Sequence, residues 1–371
     1  MAPPVTPFPT PPAIGFTEAG AINAAFATAV KELADTRGTR PPFRVALIDL
    51  NGDPPFRWGG HNPQTMDFIA SEAKIIALFS AFALRDMVRR FQTALRVART
   101  VGAVMRAFGV GPAVGTRNPD LFATIRATMN PAILAGGHPL LASASEHERL
   151  PQYEQVLAIP PHAGDVDFTG AFRAALRQMI VPSSNTAAGT VIRGVGYSYI
   201  SGTMQQAGLF RNGKGAWLAG DFVGRARYVR IESENDQGVA QAGTALSMAK
   251  LMAIIARQAV PLAGGSYTEM QRMLADAATG PDTPFLARAA PHFTSDALRI
   301  PLKAITHIKL GFAGLKAKNG GHNVGSEVWR LEGLRRPGRV YALAFQNLNW
   351  ALTSSEDLAF VIRRAIEIHE G

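Results

Sequence analysis

The sequence predicts an α+β fold in which the two ends of the chain share one antiparallel sheet and the middle of the chain forms a helical lobe. Alternating apolar residues predict strands over 43–50 and 56–59, joined by the turn sequence Asn51-Gly52-Asp53. Three more alternating segments lie near the C-terminus, and helical patterns fill the region between the two groups. We therefore expect an antiparallel five-stranded sheet flanked by helices, plus an all-helical lobe.

The N-terminal part of the chain begins with a proline-rich stretch over 1–15, which predicts a flexible tail. A helix is predicted over 17–36, because Ile22, Phe26 and Val30 recur at helical spacing. The two strands follow. After them comes an apolar run that is polar on no face, which is typical of a helix buried in the centre of a domain.

The middle of the chain is predicted to consist of helices separated by loops. An amphipathic helix is predicted over 85–109 and another over 168–180. The glycine-rich stretch over 211–243 has no regular period, which predicts an irregular loop. Two apolar helices are predicted after it, over 244–258 and 267–277.

The C-terminal part returns to β structure. Alternation predicts strands over 305–311, 326–331 and 339–346, and an amphipathic pattern predicts a closing helix over 354–369. These assignments divide the chain into three parts, namely a tail over 1–15, a sheet domain over 16–66 and 295–371, and a helical domain over 67–294 that carries the candidate nucleophile.

The composition excludes several kinds of chemistry. The chain has 371 residues, of which 47% are hydrophobic, and it contains no cysteine, so disulfides and thiol catalysis are excluded. The eight histidines show no spacing typical of metal ligands, and we expect neither a metal nor a cofactor. A net charge of +10 favours anionic partners, but the arginines that carry most of it are spread along the chain.

The N-terminus has neither the basic start nor the apolar middle of a signal peptide. No apolar stretch has the length of a transmembrane helix, which argues against a membrane partner. The sequence as it stands predicts a cytoplasmic protein, or else the mature form of a periplasmic or secreted one.

The strongest candidate for a catalytic group is the sequence Ser71-Glu72-Ala73-Lys74 at the start of the central helix. Residues three apart share a helix face, so the amine of Lys74 can reach the hydroxyl of Ser71. The first turn of a helix has unpaired N–H groups that can stabilise an oxyanion. Burial favours the neutral form of a lysine, and we expect Lys74 to be a base near neutral pH.

Two other features compete with this hypothesis. A second Ser-x-x-Lys, formed by Ser247 and Lys250, is predicted to lie inside the helix over 244–258 rather than at its start, and we expect it to be structural. The helix over 85–109 alternates arginines with apolar residues, and such a helix can bind nucleic acid or an anionic lipid surface. More often this pattern is only a solvated helix face.

Two more short motifs follow Ser71 in the chain. Ser183-Ser184-Asn185 lies in a turn that leads into a helix, and Lys309-Leu310-Gly311 lies in a predicted strand. With Ser-x-x-Lys, this order resembles the penicillin-recognising serine hydrolases, a group that includes class A β-lactamases, low-molecular-weight D,D-peptidases and related esterases. The resemblance covers nearly the whole chain from about residue 16, and the order and element types of the motifs make it specific.

The resemblance implies a role for each motif residue. Ser71 would be the nucleophile and Lys74 the base for acylation, while Ser183 would relay a proton to the leaving group. Asn185 would hydrogen-bond Lys74 and a substrate amide, and Lys309 would hold Ser183.

The resemblance also implies how the substrate is held. The backbone N–H groups of Ser71 and Phe312 would form the oxyanion hole. Gly311 would leave room for the substrate along the strand edge.

This sequence departs from the family pattern at the strand motif. Leu310 stands where the family has a threonine or serine hydroxyl that binds the substrate carboxylate. Leucine cannot bind a carboxylate in this way, and Lys316, Lys318 or His322 are the candidates to replace it.

Two further departures lie in the helical region. The stretch over 211–243 lacks the Glu-x-x-Leu-Asn that activates water in class A enzymes, and Glu232 and Glu234 match it poorly. The distance from Ser71 to Ser183 is longer than in compact β-lactamases, which predicts an insertion over 85–137.

The leading hypothesis is therefore a serine acyl hydrolase that forms an acyl-enzyme on a small-molecule or peptide substrate, either a β-lactam, a peptide or an ester. The first alternative is a penicillin-binding or non-catalytic relative that is acylated without turnover, because the deacylating glutamate is missing. The second alternative is a basic protein that binds nucleic acid or lipid. We expect poor β-lactam turnover, a long-lived penicilloyl adduct and a preference for short esters.

Overall fold

The structure is a computed structural model that describes part of the chain. The described residues are 14–38, 40–95, 100–107, 151–161, 164–223, 230–236, 238–259, 262–280, 283–315, 323–349 and 351–371. Three predictions therefore lie wholly or mostly outside the described residues, namely the tail over 1–15, most of the insertion over 85–137, and the carboxylate-binding candidates Lys316, Lys318 and His322.

Among the described residues, one large sheet and several short strand pairs are formed. The strands are β1 (Phe16–Glu18), β2 (Arg44–Asp49), β3 (Phe56–His61), β4 (Asp67–Phe68), β5 (Leu157–Ala158), β6 (Asp167–Phe168), β7 (Phe210–Arg211), β8 (Lys214–Gly215), β9 (Trp217–Leu218), β10 (Gln241–Gly243), β11 (Ile305–Gly314), β12 (Asn323–Glu332) and β13 (Val340–Asn349). The large sheet has the order β1-β3-β2-β13-β12-β11.

The helices surround this sheet and build the lobe beside it. They are α1 (Gly20–Arg37), α2 (Lys74–Leu95), α3 (Val101–Ala107), α4 (Tyr153–Val156), α5 (Gly170–Ile180), α6 (Asn185–Val195), α7 (Tyr197–Gln206), α8 (Ala245–Arg257), α9 (Gly264–Thr279), α10 (Phe285–Ala289) and α11 (Leu352–Glu370). None of the helices in the described part of the chain has both the length and the apolar character needed to cross a membrane.

The two ends of the chain meet in the sheet, as predicted. Strand β13 pairs antiparallel with β2, with Leu343 opposite Leu47. The α+β class is confirmed, but the strand number differs from five. A sixth strand, β1, adds to the edge and runs parallel to β3, with Phe16 opposite Phe56.

The centre of the sheet is buried on both faces. Strands β2 and β13 are buried along almost their whole length, which requires cover on each side. Helices α1 and α11 pack together and against β3 and β13, while α8 packs against β2, β12 and β13. Helix α9 packs against β11, the edge strand that carries Lys309.

The central helix is longer than predicted. Helix α2 runs without a break from Lys74 to Leu95, so the separate helix expected to begin at residue 85 is its second half. The stretch from residue 71 to residue 95 contains no glycine or proline, and nothing in it interrupts the helical hydrogen bonds.

Candidate active site

Ser71 lies in a short 3₁₀ turn, Ala70–Ala73, that leads directly into α2. The residue before it, Ala70, has a left-handed backbone with φ of 46°. This conformation is unfavourable for a residue with a Cβ and persists only where the surroundings enforce it. Ser71 is half-buried and lines a cavity of about 370 Å³. The turn therefore presents the Ser71 side chain at the surface of a pocket.

Lys74 lies one turn further along and is completely buried. Its Nζ is 2.6 Å from the carbonyl oxygen of Ser183, 3.2 Å from Ser183 Oγ and 2.8 Å from Asn185 Oδ1. The ring of Phe222 lies 5.0 Å from the same nitrogen, within range of a cation–π interaction. The amine of Lys74 is thus held by polar groups of the second motif.

The three residues of the second motif have different roles. Ser184 caps helix α6 by accepting a hydrogen bond from the N–H of Ala187 at 3.2 Å. Ser183 precedes the cap with φ of 56°, a strained left-handed conformation of the kind that is found at functional sites. Asn185 is the first residue of α6. Because Ser184 is used as the cap, the side chains on either side of it are free to point toward Lys74.

Lys309 reaches the same hydroxyl from the sheet. It lies in the edge strand β11, its side chain is completely buried, and its Nζ is 2.8 Å from Ser183 Oγ. Two lysine side chains, one from α2 and one from β11, therefore meet at one serine hydroxyl. Lys74, Ser183, Asn185 and Lys309 are brought together as the motifs predict.

Gly311 lies where β11 passes close to the Ser71 turn, and its expected role in making room for the substrate stays a prediction. A Cβ at this position would lie 2.2 Å from the carbonyl oxygen of Ile69 and 2.8 Å from the amide nitrogen of Glu72. Glu72 belongs to the Ser71 turn, and Ile69 is the residue just before that turn. The turn therefore occupies the space beside Gly311. The missing side chain lets β11 approach the turn closely.

The two neighbours of Gly311 differ in exposure. Phe312 is 47% exposed and lines the cavity with Ser71. Leu310 is buried and offers the cavity no hydroxyl. The assignment of the Ser71 and Phe312 N–H groups to an oxyanion hole stays a prediction.

The segment over 230–243 contributes an acidic residue that the sequence reasoning missed. Glu232 and Glu234, the two expected candidates, are exposed, and neither is among the described residues that line the cavity. Asp236 is buried and lines it, and among the described lining residues it is the one acidic side chain. The signal available in the sequence was weak, because Asp236 belongs to no spaced motif.

This segment is fastened to the chain that leads to Ser71. The N–H of Glu234 donates to the carbonyl oxygen of Met66 at 2.7 Å, and Asn235 Oδ1 accepts from the N–H of Phe68 at 2.7 Å. Ile231 and Val239 exchange two backbone hydrogen bonds of 2.9 and 2.8 Å, which close the loop. The position of Asp236 in the cavity is therefore fixed by hydrogen bonds of the residues on both sides of it.

The second Ser-x-x-Lys is structural, but its place differs from the prediction. Helix α8 begins at Ala245, so Ser247 lies in its first turn rather than in its interior. The Ser247 hydroxyl accepts a hydrogen bond from the Thr244 N–H at 3.1 Å, and Thr244 Oγ1 accepts from the Ser247 N–H at 3.0 Å. This reciprocal arrangement is a capping box, which stabilises the start of the helix.

The basic helix proposed for nucleic acid does not present Arg85 to solvent. Arg85 is completely buried in the helical lobe, with Nη1 3.0 Å from Asp167 and 2.9 Å from Glu269. Its Nη2 donates to Ser266 Oγ at 2.8 Å. Arg85 on α2 therefore ties this helix to Glu269 and Ser266 on α9. Removal of the buried arginine would leave the carboxylate of Glu269 without its charge partner.

The described part of the chain contains no group of three or more His, Cys, Asp or Glu residues that could hold a metal ion. The charged and catalytic-type side chains among the described residues that line the cavity are those of Ser71, Asn185, Arg230 and Asp236. The amines of Lys74 and Lys309 lie behind them, at Ser183 Oγ.

No protein-family model and no curated protein matches this sequence. Several solved structures are similar to the structure. TLA-3 extended-spectrum β-lactamase has a TM-score of 0.49 at 11% identity, with 93% of this chain and 98% of that chain covered. A class A β-lactamase from Bacteroides cellulosilyticus has a TM-score of 0.48 at 12% identity, with 94% and 98% covered. A β-lactamase from Chitinophaga pinensis has a TM-score of 0.46 at 13% identity, with 93% and 97% covered.

All three are β-lactamases, members of the group that the three motifs resemble.

Proposed function

We propose that this protein is a serine hydrolase that works through an acyl-enzyme on Ser71. The observation that supports the proposal is the convergence of Lys74 and Lys309 on Ser183 Oγ, at 3.2 and 2.8 Å, beside the cavity that Ser71 lines. Two buried lysines that share one hydroxyl are costly to hold in a fold. They are useful where protons must be moved between a nucleophile and a leaving group.

In acylation, Lys74 takes the proton of Ser71 while Ser71 Oγ attacks the substrate carbonyl carbon. For this step the amine of Lys74 must be neutral. Two N–H bonds of that amine then donate to the Ser183 carbonyl oxygen and to Asn185 Oδ1, which leaves a lone pair to accept a proton. Ser183 passes its proton to the leaving group and receives the proton that Lys74 took from Ser71. The charge of Lys309 stabilises the developing negative charge.

In deacylation, a water molecule must lose a proton as it attacks the acyl carbon. Asp236 is the acidic residue that supports this step best, because it is buried in the same cavity as Ser71. The water proton goes to Asp236, the bond from the acyl carbon to Ser71 Oγ breaks, and Asp236 then gives up that proton so that Ser71 Oγ is protonated again and Asp236 is restored. The product leaves as a carboxylic acid.

The cavity favours an uncharged acyl group over a substrate that needs its carboxylate held by a strand hydroxyl. The aromatic rings of Phe68, Phe222 and Phe312 line it, and Leu310 supplies no hydroxyl on the strand. Arg230 is the one cationic side chain among the described lining residues. Apolar walls stabilise the acyl chain of a short ester. We therefore propose short esters as better substrates than β-lactams.

A steady-state comparison of p-nitrophenyl butyrate with nitrocefin tests this proposal. We expect ester turnover that is lost in Ser71→Ala and kept in the matched control Ser247→Ala, with much slower nitrocefin turnover. Nitrocefin turnover faster than ester turnover would contradict the proposed substrate class. A stoichiometric burst without turnover on both substrates would instead favour a protein that is acylated but does not hydrolyse the adduct.

A further inference from the structure

Glu72 directly follows the candidate nucleophile, and its carboxyl group is in an unusual environment. The side chain is completely buried, and neither carboxyl oxygen accepts a hydrogen bond from a described residue. An ionised carboxylate in such a place would be strongly unfavourable, because no donor replaces the water that it loses. Burial raises the pKa of Glu72 well above its ordinary value.

Two charged groups face Glu72 from the neighbouring strands. Lys309 on β11 favours the ionised form of Glu72, and Glu327 on β12 opposes it. Glu327 is also buried, but its carboxylate accepts the N–H of Phe285 at 2.6 Å and the indole N–H of Trp329 at 2.7 Å. Because hydrogen-bond donors stabilise an anion, the negative charge of this pair is placed on Glu327 and the proton on Glu72.

The nearby hydroxyl of Ser326 agrees with this assignment. Its proton is donated to the carbonyl oxygen of Ile69 at 2.9 Å, so it has none left to give to a Glu72 carboxylate. A hydroxyl oxygen that has donated its proton can still accept one. A protonated Glu72 therefore has a suitable acceptor beside it, whereas an ionised Glu72 does not.

We propose that Glu72 works as a neutral carboxylic acid that holds the Ser71 turn against β11 and β12 and leaves the charge of Lys309 directed at Ser183. It is a positioning residue, since it acts through Lys309 and Ser326. This inference rests on the proposed function, because it concerns the same Ser71 site. Loss of the Glu72 proton would remove the link to Ser326. It would also place a negative charge beside Lys309, in competition with Ser183 Oγ.

The first test compares the rate of Ser71 acylation by a fluorophosphonate in wild type and Glu72→Gln as the pH is raised from neutral. The glutamine is a neutral mimic of the protonated acid, so we expect similar rates near neutral pH. Above the ionisation of Glu72 the wild-type rate should fall relative to the variant, by up to about tenfold per pH unit. The control Glu154→Gln, at an exposed position on α4, should follow wild type throughout.

Two results would overturn the inference. One is a large loss of acylation in Glu72→Gln near neutral pH, which would show that the carboxylate form is needed. The other is a pair of parallel pH profiles for wild type and Glu72→Gln. If wild type is not labelled at any pH, it is the proposed function that fails, and a measurement that does not depend on activity must decide the state of Glu72.

That measurement is the melting temperature of the two proteins as a function of pH. A group with a raised pKa in the folded state holds its proton when the unfolded chain has lost it, so stability falls as pH rises above the unfolded pKa. Glutamine does not titrate. We expect equal melting temperatures near pH 4 and a higher one for Glu72→Gln at neutral pH. An equal or lower value at neutral pH, or a variant that does not fold there, would contradict a neutral Glu72.

Discussion

At the scale of single residues, the hydroxyl of Ser183 is the point where the candidate site is assembled. It lies 3.2 Å from Lys74 Nζ and 2.8 Å from Lys309 Nζ, and its own backbone is strained with φ of 56°. Strain of this kind costs on the order of 1–3 kcal/mol and persists where neighbouring contacts enforce it. The contacts to Lys74 supply that enforcement, so the strained residue and the buried lysine depend on each other.

Lys74→Ala should slow acylation of Ser71 by about 10²–10⁴-fold, the usual contribution of a positioned acid–base group. Lys250→Ala is the matched control. Lys250 also lies three residues after a serine, Ser247, but it belongs to α8 and not to the start of α2. Stopped-flow measurement of fluorophosphonate labelling gives the rate. Unchanged acylation in Lys74→Ala would show that another group takes the proton.

Asp236→Asn should leave acylation nearly unchanged and slow deacylation by about 10²–10⁴-fold, because the amide cannot accept the proton of the attacking water. Intact mass at increasing times after addition of p-nitrophenyl butyrate follows the acyl-enzyme. Glu232→Gln and Glu234→Gln are the controls, since both side chains are exposed. A persistent acyl-enzyme in one of these controls, or the lack of one in Asp236→Asn, would contradict the assignment of Asp236 as the deacylating base.

At the scale of elements, the starts of helices explain why two identical motifs have different roles. Ser71 lies in a 3₁₀ turn before α2 and faces a cavity, whereas Ser247 lies in the first turn of α8 with its hydroxyl bonded to Thr244. A serine whose hydroxyl caps its own helix cannot also act as a nucleophile. The capping contacts, rather than the distance from the helix start, distinguish the two copies.

Ser247→Ala and Thr244→Ala should each lower the free energy of unfolding by about 1 kcal/mol, the usual cost of losing a helix cap. Labelling of Ser71 should be unaffected in both variants. Urea unfolding followed by circular dichroism measures the stability, and the same samples can be labelled. A loss of labelling without a loss of stability would mean that the second motif is part of the active site.

At the scale of the whole molecule, the sequence predicts the sheet and the motifs well because their signals are local. Alternation marks β2 and β13, and their pairing brings the two chain ends together. Strand β1 has only three residues, too few to show a period. The reason for Gly311 could not be predicted, because the Ile69 carbonyl that its Cβ would meet comes from a distant part of the sequence.

The places of Arg85 and Asp236 could not be predicted either, because both depend on contacts with distant parts of the chain. The arginine pattern over 85–109 indicates a solvated face, but Arg85 pairs with Asp167 and Glu269 from elements far along the chain. Asp236 reaches the cavity because a backbone hydrogen bond from Glu234 to Met66 and a side-chain contact from Asn235 to Phe68 hold its loop in place. Nothing in the local sequence of either residue encodes these partners.

The titration of Asp67 should contribute a fall in the stability of the molecule as the pH rises from about 4 to 6. Burial is the main cause that raises the pKa of Asp67 to about 6, so the folded protein holds a proton in this window that the unfolded chain has lost. A shift of two pKa units corresponds to about 3 kcal/mol. Asp67→Asn should remove this part of the slope in urea unfolding at several pH values. An unchanged slope would contradict the assignment.

The most direct test of the central claim is peptide mapping of the protein after reaction with a fluorophosphonate. If Ser71 is the nucleophile, one adduct forms per chain, it maps to the peptide that contains Ser71, and it is absent in Ser71→Ala but present in Ser247→Ala. An undiminished label in Ser71→Ala, or a label that maps to Ser183 or Ser247, would contradict the account.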